Sequence, residues 1–108
     1  MSVSDADIAF ALDLFHQIGP LTTRKMMGGL CLYRGGVIFA LLHSDGSLWL
    51  KAAGPFSDRL TAEGWERWSY QRPGRKPVDM PYFRLPDAAL DDPALACNLA
   101  TEALNHLE

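Results

Sequence analysis

Between Met26 and Leu50 the apolar positions fall into three runs: Leu30-Cys31-Leu32-Tyr33, Val37-Ile38-Phe39-Ala40-Leu41-Leu42 and Leu48-Trp49-Leu50. Glycine-bearing polar stretches, Arg34-Gly35-Gly36 and Ser44-Asp45-Gly46-Ser47, divide them. Short apolar runs parted by tight-turn residues predict an antiparallel β-meander, with two-residue hairpins at Gly35-Gly36 and Asp45-Gly46. The middle run carries no polar residue on either face. A strand with one wet face alternates, so this one is expected to be covered on both faces. The pattern describes a sheet that holds helices on one side and a partner on the other.

Helical periodicity frames the meander. Ile8, Ala11, Leu12, Phe15 and Ile18 repeat at the three-four spacing of one helix face over Ser4 to Ile18, with Ser4 and Asp7 spaced as a cap and Gly19-Pro20 as the stop. Thr22 to Lys25 leads into the first strand, where Gly28-Gly29 predicts a bulge or bend. Gly54-Pro55 opens a short helix that carries Phe56 and Leu60 and ends at Gly64. Trp68 to Arg72 and Val78 to Leu85 form a second hairpin around Pro73-Gly74-Arg75-Lys76-Pro77, with Pro81 placing its strand at an edge or at a bulge. Pro86 to Asp91 reads as a turn or a single helical turn. Asp92 caps and Pro93 begins a closing helix striped by Ala96, Leu99, Ala100, Ala103, Leu104 and Leu107. The expected fold is α+β: a two-layer, five-stranded antiparallel sheet with helices packed on it, in the order α-β-β-β-α-β-β-α. All 108 residues form one domain.

Composition narrows the class. No apolar run approaches the ~18 residues of a membrane span, and Asp5 and Asp7 replace the basic start of a signal peptide. A cytoplasmic protein without membrane contact is expected, and Cys31 and Cys97 read as small buried hydrophobes in a reducing compartment. All ten Lys and Arg residues lie from Arg24 to Arg84 with five acids, so this segment nets +5. The flanks hold the other eight acids and no Lys or Arg. An anionic partner surface accounts for this asymmetry, as do terminal helices with acidic outer faces.

Catalytic signatures are absent from the pattern. His16, His43 and His106 share no metal-ligand spacing with one another or with the cysteines, and Cys31 sits between two leucines as a core thiol does. No nucleophile elbow or phosphate loop occurs, and Asp91-Asp92 is accounted for by a helix cap. No enzyme activity, cofactor or metal is expected. Cations and aromatics interleave in the second hairpin, so Arg24, Lys25, Tyr70, Arg72, Arg75 and Lys76 form a candidate partner or nucleic-acid surface. The competing reading places Trp68 and Tyr82 in the core and leaves the cations to solvate a hairpin tip.

Association follows from the meander. By strict alternation Ile38, Ala40 and Leu42 share a face with Leu32, Leu48 and Leu50. If the helices cover the other face, these six residues are an uncovered patch, and a twofold homodimer is its expected remedy. The alternative is that the short helix from Phe56 to Glu63 crosses over and covers the patch.

A family resemblance rests on the ordered residues Arg24-Lys25-Met26-Met27-Gly28-Gly29-Leu30-Cys31-Leu32-Tyr33 and Gly36-Val37-Ile38-Phe39-Ala40-Leu41. Leu48-Trp49-Leu50-Lys51, Gly64 to Tyr70, Pro81-Tyr82 and Leu85-Pro86 to Asp92-Pro93 continue it. In this order and spacing the chain resembles the N-terminal domain of the TfoX/Sxy competence regulators, with Met27 where the family usually has an aromatic. The resemblance implies an α+β fold and a regulatory protein partner. It links the chain to transcriptional regulation of DNA-uptake genes, where the full-length regulators resemble coactivators working with the cyclic-AMP receptor protein. Those regulators carry a second, helical domain that this chain, ending at Glu108, is expected to lack. The family pattern assigns no catalytic residue.

Overall fold

The structure, a computed structural model, describes residues 3–26, 28–70 and 73–107. Helix α1 (Asp5–Leu14) starts where Ser4 Oγ accepts from the Asp7 N–H at 3.1 Å. It ends four residues before the expected boundary, and a 3-10 turn (His16–Ile18) carries the chain onward. That shortened end leaves Phe15 fully buried against the sheet.

Six strands follow in one antiparallel sheet: β1 (Thr22–Met26), β2 (Gly29–Arg34), β3 (Val37–Leu42), β4 (Leu48–Lys51), β5 (Arg67–Tyr70) and β6 (Val78–Arg84), ordered β1-β2-β3-β4-β6-β5. The fold class is the expected one, with one strand more than five. The extra strand comes from Gly28-Gly29, where the chain reverses instead of bending, so that Met26 pairs with Gly29 and Thr22 with Tyr33. Gly28 has φ 84, a value L side chains rarely adopt. Gly29 serves a different need: a Cβ there would collide with the Leu42 carbonyl.

The Gly35-Gly36 turn has both residues at positive φ, as a two-residue hairpin requires. The next turn is longer than two residues. His43 N–H donates to the Ser47 carbonyl and Gly46 N–H to the His43 carbonyl, both at 2.9 Å. Pro81 lies in an internal strand rather than at an edge. It sits just past the last β4 partner, with Ala52 N–H donating to its carbonyl at 3.0 Å, and the β5–β6 register shifts beside it between Arg67 and Ser69.

Helix α2 (Gly54–Ala62) closes as expected at Gly64, where Gly64 N–H and Trp65 N–H donate to the Thr61 and Leu60 carbonyls. The single turn α3 (Asp87–Leu90) leads to α4 (Pro93–Asn105), whose cap Asp92 accepts from Leu95 N–H at 3.2 Å. All four α-helices pack on one face of the sheet. Ala11, Leu14, Phe56, Leu60, Ala89, Ala96, Leu99, Ala100, Ala103 and Leu104 join Leu30, Leu32, Phe39, Ala40, Leu42, Leu48, Leu50 and Phe83 in one core. Each fully buried Leu or Phe contributes about 1.5–3 kcal/mol of transfer free energy. Arg59 on α2 grips Glu102 on α4 with both guanidinium nitrogens, Nη2 donating to Oε1 at 2.8 Å and Nη1 to Oε2. Among the described residues, no helix is long and apolar enough to cross a membrane.

Candidate functional site: the open face of the sheet

The face opposite the helices carries a second, smaller cluster: Cys31, Leu41, Trp49 and Tyr82, flanked by Tyr33, Ile38, Trp68 and Met80. Among the described residues, none from the α-helices belongs to it. Both faces of β3 are thus covered, one by helices and one by aromatic side chains of the sheet itself.

This arrangement corrects the expected dimer face. Leu32, Ala40, Leu42, Leu48 and Leu50 lie under the helices, each at most 3% exposed. Ile38 alone looks the other way. A bulge is the cause: Leu32 pairs with Ala40 but Tyr33 pairs with Ile38, leaving Phe39 as the extra residue. Phe39 and Ala40 both join the helix-side core, and the alternation that tied Ile38 to Ala40 is broken. The alternative is met in part: α2 joins the layer that covers these five residues, but beside α4 and not by crossing to a separate face, since Phe56, Leu60 and Arg59 hold it there.

Register lays out the open face. Arg24 pairs with Cys31, Cys31 with Leu41, Leu41 with Trp49, and Trp49 with Arg84. Directly paired residues share a face, so this is one row across five strands, apolar in the middle and cationic at both ends. At a strand spacing of ~4.8 Å the two arginines are about 19 Å apart. Lys51, paired with Tyr82, adds a third cation to the face. Met26 at one end, 51% exposed, and Tyr70 and Val78 at the other, 50% and 58%, continue the apolar surface outward.

The sequence-derived basic surface is divided by the topology. Arg24 and Lys25 lie on edge strand β1, where alternation sends them to opposite faces. Tyr70, Arg75 and Lys76 lie at the β5–β6 hairpin, on the opposite edge, all exposed. Arg72 and Met27 fall outside the described residues.

One corner of the open face has a worked geometry that the sequence reading passed over. His43 follows β3 and stacks on Trp49, with ring centroids 5.1 Å apart and 26° between planes, while Trp68 meets it edge-on at 4.8 Å and 69°. The next turn is fastened from within. Asp45 Oδ1 accepts from Ser47 N–H at 2.9 Å and Ser47 Oγ at 2.6 Å, and that hydroxyl accepts from Trp49 Nε1 at 2.8 Å. Burial pushes the His43 imidazole below its ordinary pKa, and the nearby Asp45 charge offsets part of this. The hydrogen bonds from Ser47 hold the Asp45 carboxyl below the usual range, helped by the charges of His43 and Arg84. Burial raises the Tyr82 phenol, with Cys31 and Tyr33 adding to the shift. Met26, Gly29, Cys31, Leu41, His43, Asp45 and Trp68 surround a cavity of about 360 Å³. With Leu42 paired to Leu48 and Leu41 to Trp49, His43 lies opposite Ser47 and is the diagonal neighbour of Trp49 on the same face.

Both cysteines are free and buried, Cys31 on the open face and Cys97 in α4, where its thiol donates to the Leu14 carbonyl. Among the described residues, no group of three or more His, Cys, Asp or Glu side chains converges as metal ligands would.

No curated protein matches the chain. The TfoX N-terminal domain model matches residues 13–107, which span the whole sheet, α2, α3 and α4 and the end of α1. A match of this extent, on the fold and strand order just described, makes this chain a member of the TfoX N-terminal domain family.

Proposed function

We propose that this chain is a non-enzymatic regulatory module that binds a partner protein on the open face of its sheet. Membership of the TfoX N-terminal domain family supports a competence-related regulatory or interaction role in general. The row from Arg24 through Cys31, Leu41 and Trp49 to Arg84 carries the finer reading. An apolar centre between cationic ends suits an acidic partner segment with apolar side chains. A cytoplasmic transcription regulator of competence genes is the partner class this reading favours. A second copy of the chain is the other occupant. A twofold axis along the face sets cation against cation at both ends of the row, which works against the homodimer.

The test takes a partner recovered on the immobilised chain, purifies it and measures pairwise affinity. Arg24→Glu with Arg84→Glu is expected to weaken binding at least tenfold while the circular dichroism stays unchanged. Equal binding overturns the reading. Light scattering at micromolar concentration is expected to give the 12.0 kDa monomer. A dimeric mass with the open-face amides protected assigns the face to a second copy instead.

The nucleic-acid alternative rests on one observation, the exposure of Tyr70, Arg75 and Lys76 together at the β5–β6 hairpin. Binding to DNA or RNA that falls steeply with salt and is lost in Arg75→Ala/Lys76→Ala supports it. Salt-insensitive or absent binding removes it.

A further inference from the structure

The outer edge of β1 is open. Only two residues separate Met26 from its partner Gly29, so that pair is the mutually hydrogen-bonded kind. Alternation then bonds Arg24 to Cys31 and Thr22 to Tyr33, and turns the N–H and C=O of Thr23 and Lys25 outward. Among the described residues, no backbone group from another element bonds to them. Thr23 and Lys25 pair with Leu32 and Leu30 of the helix-side core, yet both are exposed, so the helix layer stops short of β1. We infer that this edge is a docking site for an extended acidic segment of a partner protein, which adds to the six strands as a further one beside β1.

Charge names the occupant. Arg24 and Lys25 are adjacent, point to opposite faces and make no ion pair among the described residues. Two consecutive acids on an added strand also point to opposite faces, so together they meet both cations. Thr22, Thr23 and Met26 on either side suit β-branched neighbours. The same cations turn a second copy away. Antiparallel pairing of β1 with its twin about a twofold axis sets Arg24 against its own counterpart, and edge cations commonly block such self-association.

The opposite edge of the sheet is less suited. β5 has four residues, and its pairing with β6 slips between Arg67 and Ser69, an irregularity of the kind that guards an edge. β1 runs five residues in unbroken register with β2. In strand addition the main-chain hydrogen bonds supply affinity and the alternate side chains supply selectivity. This inference stands apart from the open-face reading, because the contact is the edge of the strand and Lys25 lies off the open face.

The probe is a capped peptide, Thr-Val-Glu-Glu-Val-Thr, titrated into the isotope-labelled full chain and followed by amide chemical shifts. Saturable shifts are expected over Thr22 to Met26, largest at the Thr23 and Lys25 amides, with a dissociation constant on the order of a millimolar. Lysines in place of the two glutamates are expected to weaken binding about fivefold or more. N-methylation of the first glutamate, opposite Lys25 in the antiparallel pairing, removes one main-chain donor and is expected to weaken it about as much. Lys25→Glu is expected to lose the peptide while binding at the open face is unchanged. Absent or non-saturating shifts overturn the site, and shifts confined to Cys31, Leu41 and Trp49 move the peptide to the open face and overturn the edge. Equal affinity of the lysine peptide overturns the acidic class, and equal affinity of the N-methyl peptide overturns strand addition, whether or not the variant folds. Shifts at β1 that grow with chain concentration alone assign the edge to a second copy instead.

Discussion

A Cβ on Gly29 would lie 2.6 Å from the main-chain oxygen of Leu42, closer than real Cβ atoms approach. The start of β2 therefore rests on the end of β3 backbone to backbone. Alanine at this position must push the two strands apart. Gly29→Ala is expected to lower stability by about 1–3 kcal/mol, as overpacking does. Urea unfolding followed by tryptophan fluorescence measures it, and a midpoint equal to that of the unaltered chain contradicts the contact.

Phe39 is fully buried and meets Phe15 edge-on, with centroids 5.3 Å apart and planes at 90°. Its neighbour Ile38 belongs to the open face and is only partly buried. Phe39→Ala is expected to cost about 3–5 kcal/mol, and Ile38→Ala less than about 2 kcal/mol. Comparable losses at the two positions would mean that the bulge is absent and strict alternation holds.

Those two residues also show where the sequence stops being informative. The turns at Gly35-Gly36 and Gly64 and the caps at Ser4 and Asp92 were legible because each residue type answers a local backbone demand. The apolar run Val37 to Leu42 promised two covered faces and has them. Which residue faces which way was not legible. The bulge at Phe39 arises from the pairing of β2 with β3, and a uniformly apolar strand carries no polar marker to reveal it. Gly28-Gly29 posed a similar ambiguity, because a bend and a hairpin reversal ask for the same residues. The His43 corner was hidden for another reason. Its parts come from the β3–β4 turn, from Trp49 and from Trp68 across β6, and only the strand order β4-β6-β5 brings the last of them near.

Arg59 and Glu102 join α2 to α4 by a two-pronged ion pair, yet their side chains are 44% and 37% exposed. Water screens such a pair and the two long side chains lose freedom in making it. A double-mutant cycle with Arg59→Ala and Glu102→Ala is expected to return a coupling of roughly 0.5–1 kcal/mol that shrinks in 1 M salt. A salt-independent coupling of several kcal/mol would require the pair to be buried.

His43 gives the fold a pH dependence whose sign is fixed by its surroundings. Burial beside Trp49 and Trp68 disfavours the imidazolium, so the folded-state pKa lies below the ordinary 6.5 despite the pull of Asp45. The unfolded chain then binds the proton more readily than the folded one. Stability from burying the neutral ring is fully present above the unfolded value. It is lost as pH falls from about 6.5 toward and through the folded pKa, because protons are taken up on unfolding. The Asp45 carboxyl, lowered from 3.8, contributes its own loss only as pH falls below that unfolded value. Urea midpoints taken at intervals from about pH 7.5 to pH 5 are expected to fall for the unaltered chain, and to fall less for His43→Phe, which keeps the stack without a titrating group. An imidazole titration by NMR that places His43 above 6.5, or identical pH profiles for the two chains, would contradict a His43 whose titration is governed by burial.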